Sequence, residues 1–527
     1  TKIFHNAMYD VCWIRKLGIK INGLVVDTMI AASLINENRY SYTLNTLSWT
    51  YLQKGKNETK LIEAAKARGL DAKADMWRLP AIEVGEYAEK DAELTLELWQ
   101  LFKKIIQEQN LKNIFDLETS LFPCLVDMRF LGVKVDVSKA HELKRQLALQ
   151  EEMLLHKIKK DSNIDVQIWA AASIAKVFDS LNLSYDLTEK TKSPSFTKNF
   201  ITNHSHPVVK LIAEARKINK VRTTFIDTII EHEHLGRIHA EINQIRSDDG
   251  GTVTGRFSYA NPNLQQIPAR NKEYGDKIRS LFLPEEGRQW GSFDYSQQEP
   301  RLVAHYAASV NNNFDGAAEF IEAYKNESAD FHQIVADMAS ITRNQAKTIN
   351  LGLFYGMGKA KLGKELGISK DAAENLLRQY GERVPFVKKL ATDVSNSASK
   401  YGFIRTIKGR KCRFDMWEPN SFGMNKAMNY EEAKAHYGNN IRRAFTYKAL
   451  NRLIQGSAAD QTKQAMIDCY KAGYMPLLQI HDELCFSVDN ENSINKIKEI
   501  MENAVDTLKV PSKVDIALGR SWGEAKE

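Results

Sequence analysis

The sequence is poor in the features that mark small secreted, membrane-spanning or repetitive proteins. Its 527 residues include only five cysteines, which show neither a disulfide framework nor paired metal-ligand spacing: Cys12, Cys124, Cys412, Cys469 and Cys485. No apolar run is long enough to span a bilayer, no secretory signal opens the chain, and there are no repeats or low-complexity linkers. The sequence therefore argues against a membrane or disulfide-stapled protein and predicts a reducing, cytoplasmic setting.

Neither sign of charge is in large excess. The chain has 73 basic and 66 acidic residues, for a formal net charge of +7. This balance fits a basic groove beside an acidic centre, although many proteins of other kinds share it. With 43% apolar residues the chain can bury several cores, and its length predicts about two to four domains.

Two acidic clusters stand beside predicted strands. Asp294 follows the apolar residues Trp290 and Phe293, and Asp482 with Glu483 lies between two apolar runs that predict a β-hairpin. Adjacent carboxylates at a hairpin tip repel each other unless a cation neutralises them. Either cluster alone is equally well explained as a turn or a helix cap. Together they predict a site for two Mg²⁺ ions about 3.5–4 Å apart, as used in phosphoryl transfer.

A stripe of residues four apart marks a predicted helix between the two clusters. It is cationic at Arg343 and Lys347 and apolar at Leu351 and Tyr355. Such a stripe suits a nucleoside triphosphate, with phosphates at the cationic end and sugar and base at the other. The alternative is an amphipathic surface helix with a capping glycine, but the two glycines of this stretch fall inside the apolar run.

These motifs together resemble those of the family A DNA polymerases, and the resemblance covers essentially the whole chain. Three segments carry it in the family's order: Asp294–Arg301, Arg343–Tyr355 and His481–Glu483. Two further matches are Thr254–Ser258 with Pro262–Pro268, and Asn451 with Gln455–Asp460. The resemblance implies an α/β multidomain fold shaped like a right hand, with palm, fingers and thumb. A partial ribonuclease H-like 3′–5′ exonuclease domain would precede it.

The resemblance also implies the chemistry. Asp294 and Asp482 would bridge two Mg²⁺ ions, the backbone carbonyl of Tyr295 would complete one shell, and Glu483 would assist nearby. A primer 3′-hydroxyl would attack the α-phosphate of a deoxynucleoside triphosphate, and Lys347 would stabilise or protonate the departing pyrophosphate.

Further residues are expected to hold nucleotide and DNA. Arg343 and His332 would grip the β- and γ-phosphates, and Glu299 would be the steric gate against a ribose 2′-hydroxyl. The nucleotide-binding set is Gln297, Glu299, His332, Arg343, Lys347, Leu351 and Tyr355, the last stacking near the templating position. The DNA-binding set is Arg256, Asn263, Gln265, Gln266, Asn451, Gln455 and His481.

Two positions depart from the family pattern. Leu351 stands where the family usually carries Phe or Tyr against the incoming sugar, which predicts strong rejection of dideoxynucleotides. Tyr447, one turn before Asn451, stands where polymerase I-like enzymes tend to carry Arg. Lys448 is the neighbouring cation that would substitute for that Arg in a duplex contact.

The amino-terminal part resembles the second and third motifs of the family's proofreading exonuclease. The matching residues are Asn6 with Tyr9 and Asp10, Asp27–Met29, and Tyr87 with Asp91. Asp10 and Asp91 would be metal ligands, and Tyr87 would orient the attacking water. The first motif, Asp-x-Glu, would precede residue 1, so the sequence predicts a fragment whose exonuclease is lost or crippled.

The density of helical patterning divides the chain. We predict an exonuclease-like domain at 1–112, a thumb at 113–235, the palm at 236–310 and 446–527, and fingers at 311–445. One thumb helix is expected to bury Leu143, Leu147 and Leu149 along one face.

Two other functions remain open from the residues. A single-subunit RNA polymerase uses related carboxylates, but Gln297, Glu299 and the exonuclease-like segment favour DNA synthesis. A non-catalytic DNA-binding accessory subunit would have no reason to keep Asp294, Asp482, Arg343 and Lys347. Leu351 favours a bacteriophage replicative polymerase, acting as a monomer in the host cytoplasm. Its expected partners are primer-template DNA, deoxynucleoside triphosphates and a replication helicase or primase, with no membrane.

Overall fold

The structure, a computed structural model, describes residues 1–268, 273–309, 317–325, 330–354, 359–383, 385–421, 423 and 426–525. Tyr355 and the side chain of Leu351 lie outside this described part. Within it, no helix combines the length and the apolar character needed to cross a membrane.

The amino-terminal region places helices on a short parallel sheet. Its elements are β1 (Lys2–Phe4), α1 (Ala7–Lys16), β2 (Val25–Asp27), α2 (Thr28–Ile35), α3 (Leu44–Leu52), α4 (Thr59–Ala67) and α5 (Ala81–Glu108). Strands β1 and β2 pair in parallel. Leu94, Leu98, Phe102 and Ile106 of α5 are buried at four-residue spacing, so one face of this long helix joins the core.

The next region is mainly helical. Its elements are α6 (Lys112–Leu131), β3 (Val133–Val135), α7 (Val137–Ser162), α8 (Ala171–Ser180), β4 (Asp186–Leu187), β5 (Pro194–Ser195), α9 (Lys198–Asn203), α10 (Pro207–Val221) and α11 (Asp227–Glu231). Leu143 and Leu147 of α7 are buried as predicted, but Leu149 is 59% exposed. The prediction for Leu149 is wrong because two residues along a helix turn the side chain by roughly 200°.

The next region, from Glu233 to Ser309, consists mainly of short strands and ends in a helix. The elements are β6 (Glu233–His234), β7 (Arg237–Ile238), β8 (Glu241–Asn243), β9 (Ser258–Ala260), α12 (Gly275–Arg279), β10 (Phe282–Leu283), β11 (Gln289–Tyr295) and α13 (Gln298–Ser309). A four-stranded sheet has the order β10-β3-β7-β6. As predicted, Asp294 lies near the end of a strand that is followed by a helix.

A helical layer follows. It consists of α14 (Ala317–Lys325), α15 (Phe331–Ala339), α16 (Arg343–Phe354), α17 (Lys359–Leu366), α18 (Lys370–Arg383) and α19 (Pro385–Tyr401). These helices share a core with part of α13 and with residues 450–458. The predicted helix from Arg343 is confirmed as far as Phe354.

The carboxyl-terminal part completes the central sheet. Its elements are β12 (Phe403–Arg405), β13 (Lys411–Arg413), β14 (Trp417–Pro419), α20 (Tyr430–Tyr437), β15 (Ile441–Arg443), α21 (Ala449–Lys471), β16 (Leu478–Ile480), β17 (Glu483–Val488), α22 (Glu491–Glu502) and β18 (Val514–Gly519). The sheet order is β16-β17-β11-β18. The predicted hairpin is confirmed, since β16 and β17 pair antiparallel around His481 and Asp482.

A buried ion network fixes α21 beneath this sheet. The Lys463 ammonium lies 2.7 Å from Glu118 Oε1 on α6, and the Arg410 guanidinium lies 2.8 Å from Asp460 Oδ1. Arg410 also contacts Glu118. Each of these side chains is at most 4% exposed. The network therefore joins α6, α21 and the β12–β13 hairpin through groups that water does not reach.

Candidate active site

Three acidic residues stand side by side on adjacent strands of the central sheet. Asp294 on β11 is directly opposite Glu483 on β17 and Asp515 on β18. Side chains directly opposite each other share a face, with Cβ atoms about 4.5–5.5 Å apart, and like charges there destabilise a sheet. A cation bound among these carboxylates would offset their repulsion. Asp515 was not predicted, although the alternation of Val514, Asp515 and Ile516 is a strand signal.

Asp482 joins this acidic group from the hairpin tip. The backbone N–H of Tyr295 donates to the Asp482 carbonyl at 3.3 Å, which ties the tip to β11. His481 adopts φ of +59°, a left-handed conformation that side-chain-bearing residues rarely take outside such turns. Burial raises the pKa of the Asp482 carboxyl, and the Glu483 charge adds to the rise. A bound cation would offset both effects.

The carboxylate oxygens of this acidic group are of the kind that Mg²⁺ binds. Within the described part of the chain, no group of three or more acidic, His or Cys side chains is arranged to hold a metal ion by itself. Glu483 Oε1 accepts from the Trp522 indole and from the Cys485 thiol, each at 3.3 Å. Mg²⁺ does not require a closed protein cage, since it usually takes one or two carboxylates together with substrate phosphates and water. Asp294 and Asp482 supply that number.

Glu299 lies close to this acidic group in the first turn of α13. Its carboxylate forms a 2.5 Å ion pair with Arg256, and its side chain is only 16% exposed. Burial raises the pKa of Glu299, Arg256 opposes this, and the Asp482 charge adds to the rise. The pair thus fixes a bulky side chain beside Asp482.

A cleft next to the hairpin gathers several of the predicted DNA-binding residues. It is lined by Arg256, Phe257, Gln265, Gln298, Ala458, Ala459, Thr462, Gln479 and His481. The Gln265 amide donates to Gln479 Oε1 at 3.1 Å, and the Gln298 amide donates to Thr462 Oγ1 at 3.1 Å. These bonds hold the amide groups around the cleft in fixed positions.

The other predicted DNA contacts lie around this cleft without lining it. Asn263 accepts a hydrogen bond from the Gln265 N–H at 3.2 Å, so it shapes the turn that presents Gln265. Gln266 is exposed, and Asn451 and Gln455 are half-buried on α21. The structure therefore groups Arg256, Gln265 and His481 most closely.

Asp330 organises the cationic end of α16. It caps α15 by accepting from the His332 N–H at 2.9 Å, and its carboxylate lies 2.6 Å from the Arg343 guanidinium. Sequence reasoning missed Asp330, although an acidic residue before an apolar run is an N-cap signal. Arg343 is 51% exposed in this pair, so it is open to a competing anion.

His332 and Lys347 lie next to Arg343. Burial lowers the pKa of His332 to about 4, with Asp330 opposing the change and Lys347 adding to it. His332 is therefore neutral at pH 7 and acts as a hydrogen-bonding group rather than a cation. Its Nδ1 lies 3.1 Å from the amide of Asn350, a fully buried residue, so the ring is held by α16 itself.

Some of the exonuclease-like residues share a separate cavity. Asp10 and Asp91 line a cavity of about 630 Å³ together with Lys56. The Lys56 ammonium lies 2.6 Å from Asp91 Oδ2 and 3.2 Å from the Tyr87 hydroxyl. Lys56 was not predicted, because an isolated lysine between motifs carries no signal. It neutralises Asp91 where a metal ligand was expected.

Comparison with known proteins decides the family. The model of DNA polymerase family A matches residues 137–524, and that of a 3′-5′ exonuclease matches residues 1–107. This chain belongs to DNA polymerase family A. This chain is 35% identical to the DNA-directed DNA polymerase of Pseudomonas phage M6, and the match covers 99% of this chain and 82% of the phage M6 protein.

Other similar proteins are also DNA polymerases. The DNA polymerase DpoZ of Salmonella phage PMBT28 is 31% identical over 99% of this chain and 88% of its own. DNA polymerase I of Borreliella burgdorferi is 30% identical over 99% of this chain and 55% of its own. The polymerase domain of Pol1 from M. smegmatis was solved in complex with DNA primer-template and dNTP. It superposes on this chain with a TM-score of 0.79 at 26% sequence identity, and the match covers 99% of this chain and 86% of that domain. The predicted fold class and DNA-directed DNA polymerase activity are confirmed.

Proposed function

We propose that Asp294 and Asp482 hold two Mg²⁺ ions, assisted by the Tyr295 carbonyl and by Glu483. The observation that carries this proposal is the register that sets Asp294 opposite two other acidic residues. When bound, the ions would activate the primer 3′-hydroxyl and neutralise charge on the triphosphate. The residues themselves supply oxygens from strand β11 and from the tip of the β16–β17 hairpin, which preorganises the site.

The triphosphate is proposed to lie along α16. Arg343 would leave Asp330 for the phosphates, because a triphosphate carries more charge than one carboxylate. Lys347 would stabilise or protonate the pyrophosphate, and neutral His332 would donate a hydrogen bond. Gln297, Leu351 and Tyr355 complete the proposed nucleotide site.

Primer-template DNA is proposed to lie across the cleft. Arg256, Asn263, Gln265, Gln266, Asn451, Gln455 and His481 would contact its minor groove and backbone. Minor-groove acceptors are nearly the same for every base pair, so amide donors there suit an enzyme that copies any sequence.

We propose that the domain boundaries are those predicted from the sequence. The exonuclease-like domain would occupy 1–112, the thumb 113–235, the palm 236–310 and 446–527, and the fingers 311–445. We further propose a replicative role in a phage-infected cell, in the host cytoplasm, as a monomer working beside a helicase or primase. The phage relatives support the phage part of this proposal.

Binding of Mn²⁺, which takes the same hard oxygen ligands and is visible by electron paramagnetic resonance, tests the metal site. With a dideoxy-terminated primer-template and the next nucleotide present, wild type is expected to bind two ions. Asp294→Asn should weaken this binding by at least about tenfold, because the site loses one of its two proposed bridging carboxylates. The exposed Asp489 offers a matched control. Equal Mn²⁺ binding by Asp294→Asn and Asp489→Asn would contradict the assignment.

The Glu299 gate predicts a change in sugar selectivity. Glu299→Ala should raise ribonucleotide incorporation relative to deoxynucleotides by roughly 10- to 100-fold, the scale of a relieved steric clash. Glu299→Gln keeps the side-chain size and removes the charge, so it should stay selective. Single-nucleotide insertion with each sugar gives the ratio. If Gln and Ala relax selectivity equally, charge rather than size is responsible and the gate is refuted.

A further inference from the structure

The segment after β18 reaches back to the acidic group of the candidate active site. Trp522 in this segment is 2% exposed, and its indole N–H donates to Glu483 Oε1 at 3.3 Å. A second donor, the Cys485 thiol, meets the same oxygen at 3.3 Å. Cys485 is fully buried and lies two residues from Glu483 on β17, so both side chains share one face of the strand. The Glu483 carboxylate is therefore held through one of its two oxygens.

Packing on several sides fixes the Trp522 indole. It stacks on Trp290 with ring centroids 6.0 Å apart and an interplanar angle of 19°, and it meets the Phe282 ring at 5.7 Å and 77°. The Arg279 guanidinium lies 4.7 Å from the indole centroid. The backbone N–H of Trp522 donates to the Phe282 carbonyl at 3.0 Å. Because the ring is already ordered, its hydrogen bond to Glu483 costs little further conformational entropy.

The residue after Trp522 shows how closely this segment packs on its neighbours. A Cβ atom on Gly523 would lie 2.4 Å from the Asp276 carbonyl oxygen and 2.6 Å from the Ser280 backbone nitrogen. Only glycine permits so close an approach to the backbone of α12 and the residue that follows it. This contact anchors the segment that carries Trp522.

Neutral donors hold Glu483, in contrast to Asp91 of the exonuclease-like cavity. The Lys56 ammonium lies 2.6 Å from Asp91 and neutralises its charge. An indole N–H and a thiol orient a carboxylate without adding positive charge. Glu483 therefore keeps its attraction for a metal cation, and the strand register sets it directly opposite Asp294, a proposed metal ligand.

We propose that Trp522 and Cys485 are positioning residues for Glu483. By occupying Oε1 they direct Oε2 toward the proposed metal site, where it assists Asp294 and Asp482. Outer groups that hydrogen-bond a carboxylate at a metal site fix its orientation and tune the affinity for the metal. Trp522 carries most of this effect, because a thiol is only a weak donor. The inference rests on the proposed function, since the metal site gives Oε2 its role.

Binding of Mn²⁺, measured by electron paramagnetic resonance with dideoxy-terminated primer-template and the next nucleotide, tests this role separately from activity. Trp522→Phe keeps a ring in the stack but lacks the donor, and it should weaken Mn²⁺ binding by about tenfold. Cys485→Val, which is similar in size, should weaken binding by about two- to threefold. Cys485→Ser keeps a donor and should bind like wild type. If Trp522→Phe fails to fold, equal binding by the Val and Ser variants still overturns the proposal.

Trp290→Phe is the matched control for Trp522→Phe. It removes another buried indole from the same stack, one whose N–H donates to Ser292 Oγ at 3.3 Å. Mn²⁺ affinity should stay within about twofold of wild type. If Trp290→Phe and Trp522→Phe weaken binding equally, the effect comes from packing of the stack, and the positioning role is wrong.

A double-mutant cycle shows whether Trp522 acts through Glu483. Glu483→Ala should weaken Mn²⁺ binding, and adding Trp522→Phe should cause little further loss, because the indole then has no carboxylate to orient. The same Trp522→Phe loss with and without Glu483, or no loss in Glu483→Ala, would overturn the proposal. Asp294→Asn separates the two levels of the argument. If it weakens binding while Trp522→Phe does not, only the positioning role fails; if Asp294→Asn binds like wild type, the metal site itself fails.

Discussion

Asp294→Ala is expected to lower the rate of primer extension by at least about 1000-fold. Asp294 stands where three strands bring acidic residues together, so its loss removes the proposed bridge between the two ions. The affinity for primed template should change little, because the predicted DNA contacts come from other residues. Single-turnover extension and anisotropy measure the two quantities separately.

The exposed Asp489, just beyond β17, gives the matched control for this prediction. Asp489→Asn removes an acidic group from the same sheet region and should extend primers at the wild-type rate. If Asp294→Ala still extends within about tenfold of wild type, the loss is too small for a bridging ligand and the two-ion assignment is wrong. Loss of DNA binding together with activity would instead indicate a folding defect.

Lys463→Met is expected to lower the free energy of unfolding by up to about 3–5 kcal/mol, the typical cost of breaking a buried ion pair by removing one partner, because Glu118 then keeps only Arg410 as its cation. Lys463 and Glu118 are each 0% exposed, and they pair at 2.7 Å. Burial lowers the pKa of Lys463 to about 8 even though Glu118 opposes the change. Urea denaturation followed by circular dichroism measures the effect.

The same helix supplies the control. Lys471 at the exposed end of α21 has no such environment, and Lys471→Met should cost less than about 0.5 kcal/mol. Combining Lys463→Met with Glu118→Gln should cost less than the sum of the two single changes, because the removed charges were partners. If Lys463→Met costs no more than Lys471→Met, the network does not stabilise the fold.

Local patterns made much of the site predictable. The alternation around Asp482 and the four-residue stripe from Arg343 are set by neighbours in the chain, and both the hairpin and the helix are present. The ordered motifs then identified the family. These signals come from residues close together in the chain, where the spacing of apolar side chains indicates which face of a helix or strand is buried.

Contacts between distant residues were not predictable in the same way. Asp515 is opposite Asp294 only because β18 returns to the edge of the sheet, more than two hundred residues later in the chain. Glu118, Arg410 and Lys463 look like surface charges in sequence, and only tertiary packing buries them. Leu149 shows the reverse error, since its apolar side chain belongs to the exposed side of α7.

The ion-pair partners of charged residues were also not predicted from the sequence. The sequence assigns Arg343 to a triphosphate, while the structure pairs it with Asp330. It likewise assigns Asp91 to a metal, while Lys56 neutralises it. In both cases an ion pair within the fold satisfies the charge, and tertiary packing decides which side chains meet to form such a pair.

We expect this chain to copy DNA at the Asp294 and Asp482 site. Extension of a labelled primer on a longer DNA template, with Mg²⁺ and either deoxynucleotides or ribonucleotides, tests it most directly. We expect template-complementary growth with deoxynucleotides alone, and no growth in Asp294→Ala. Growth with ribonucleotides alone, or deoxynucleotide growth that survives in Asp294→Ala, would contradict it.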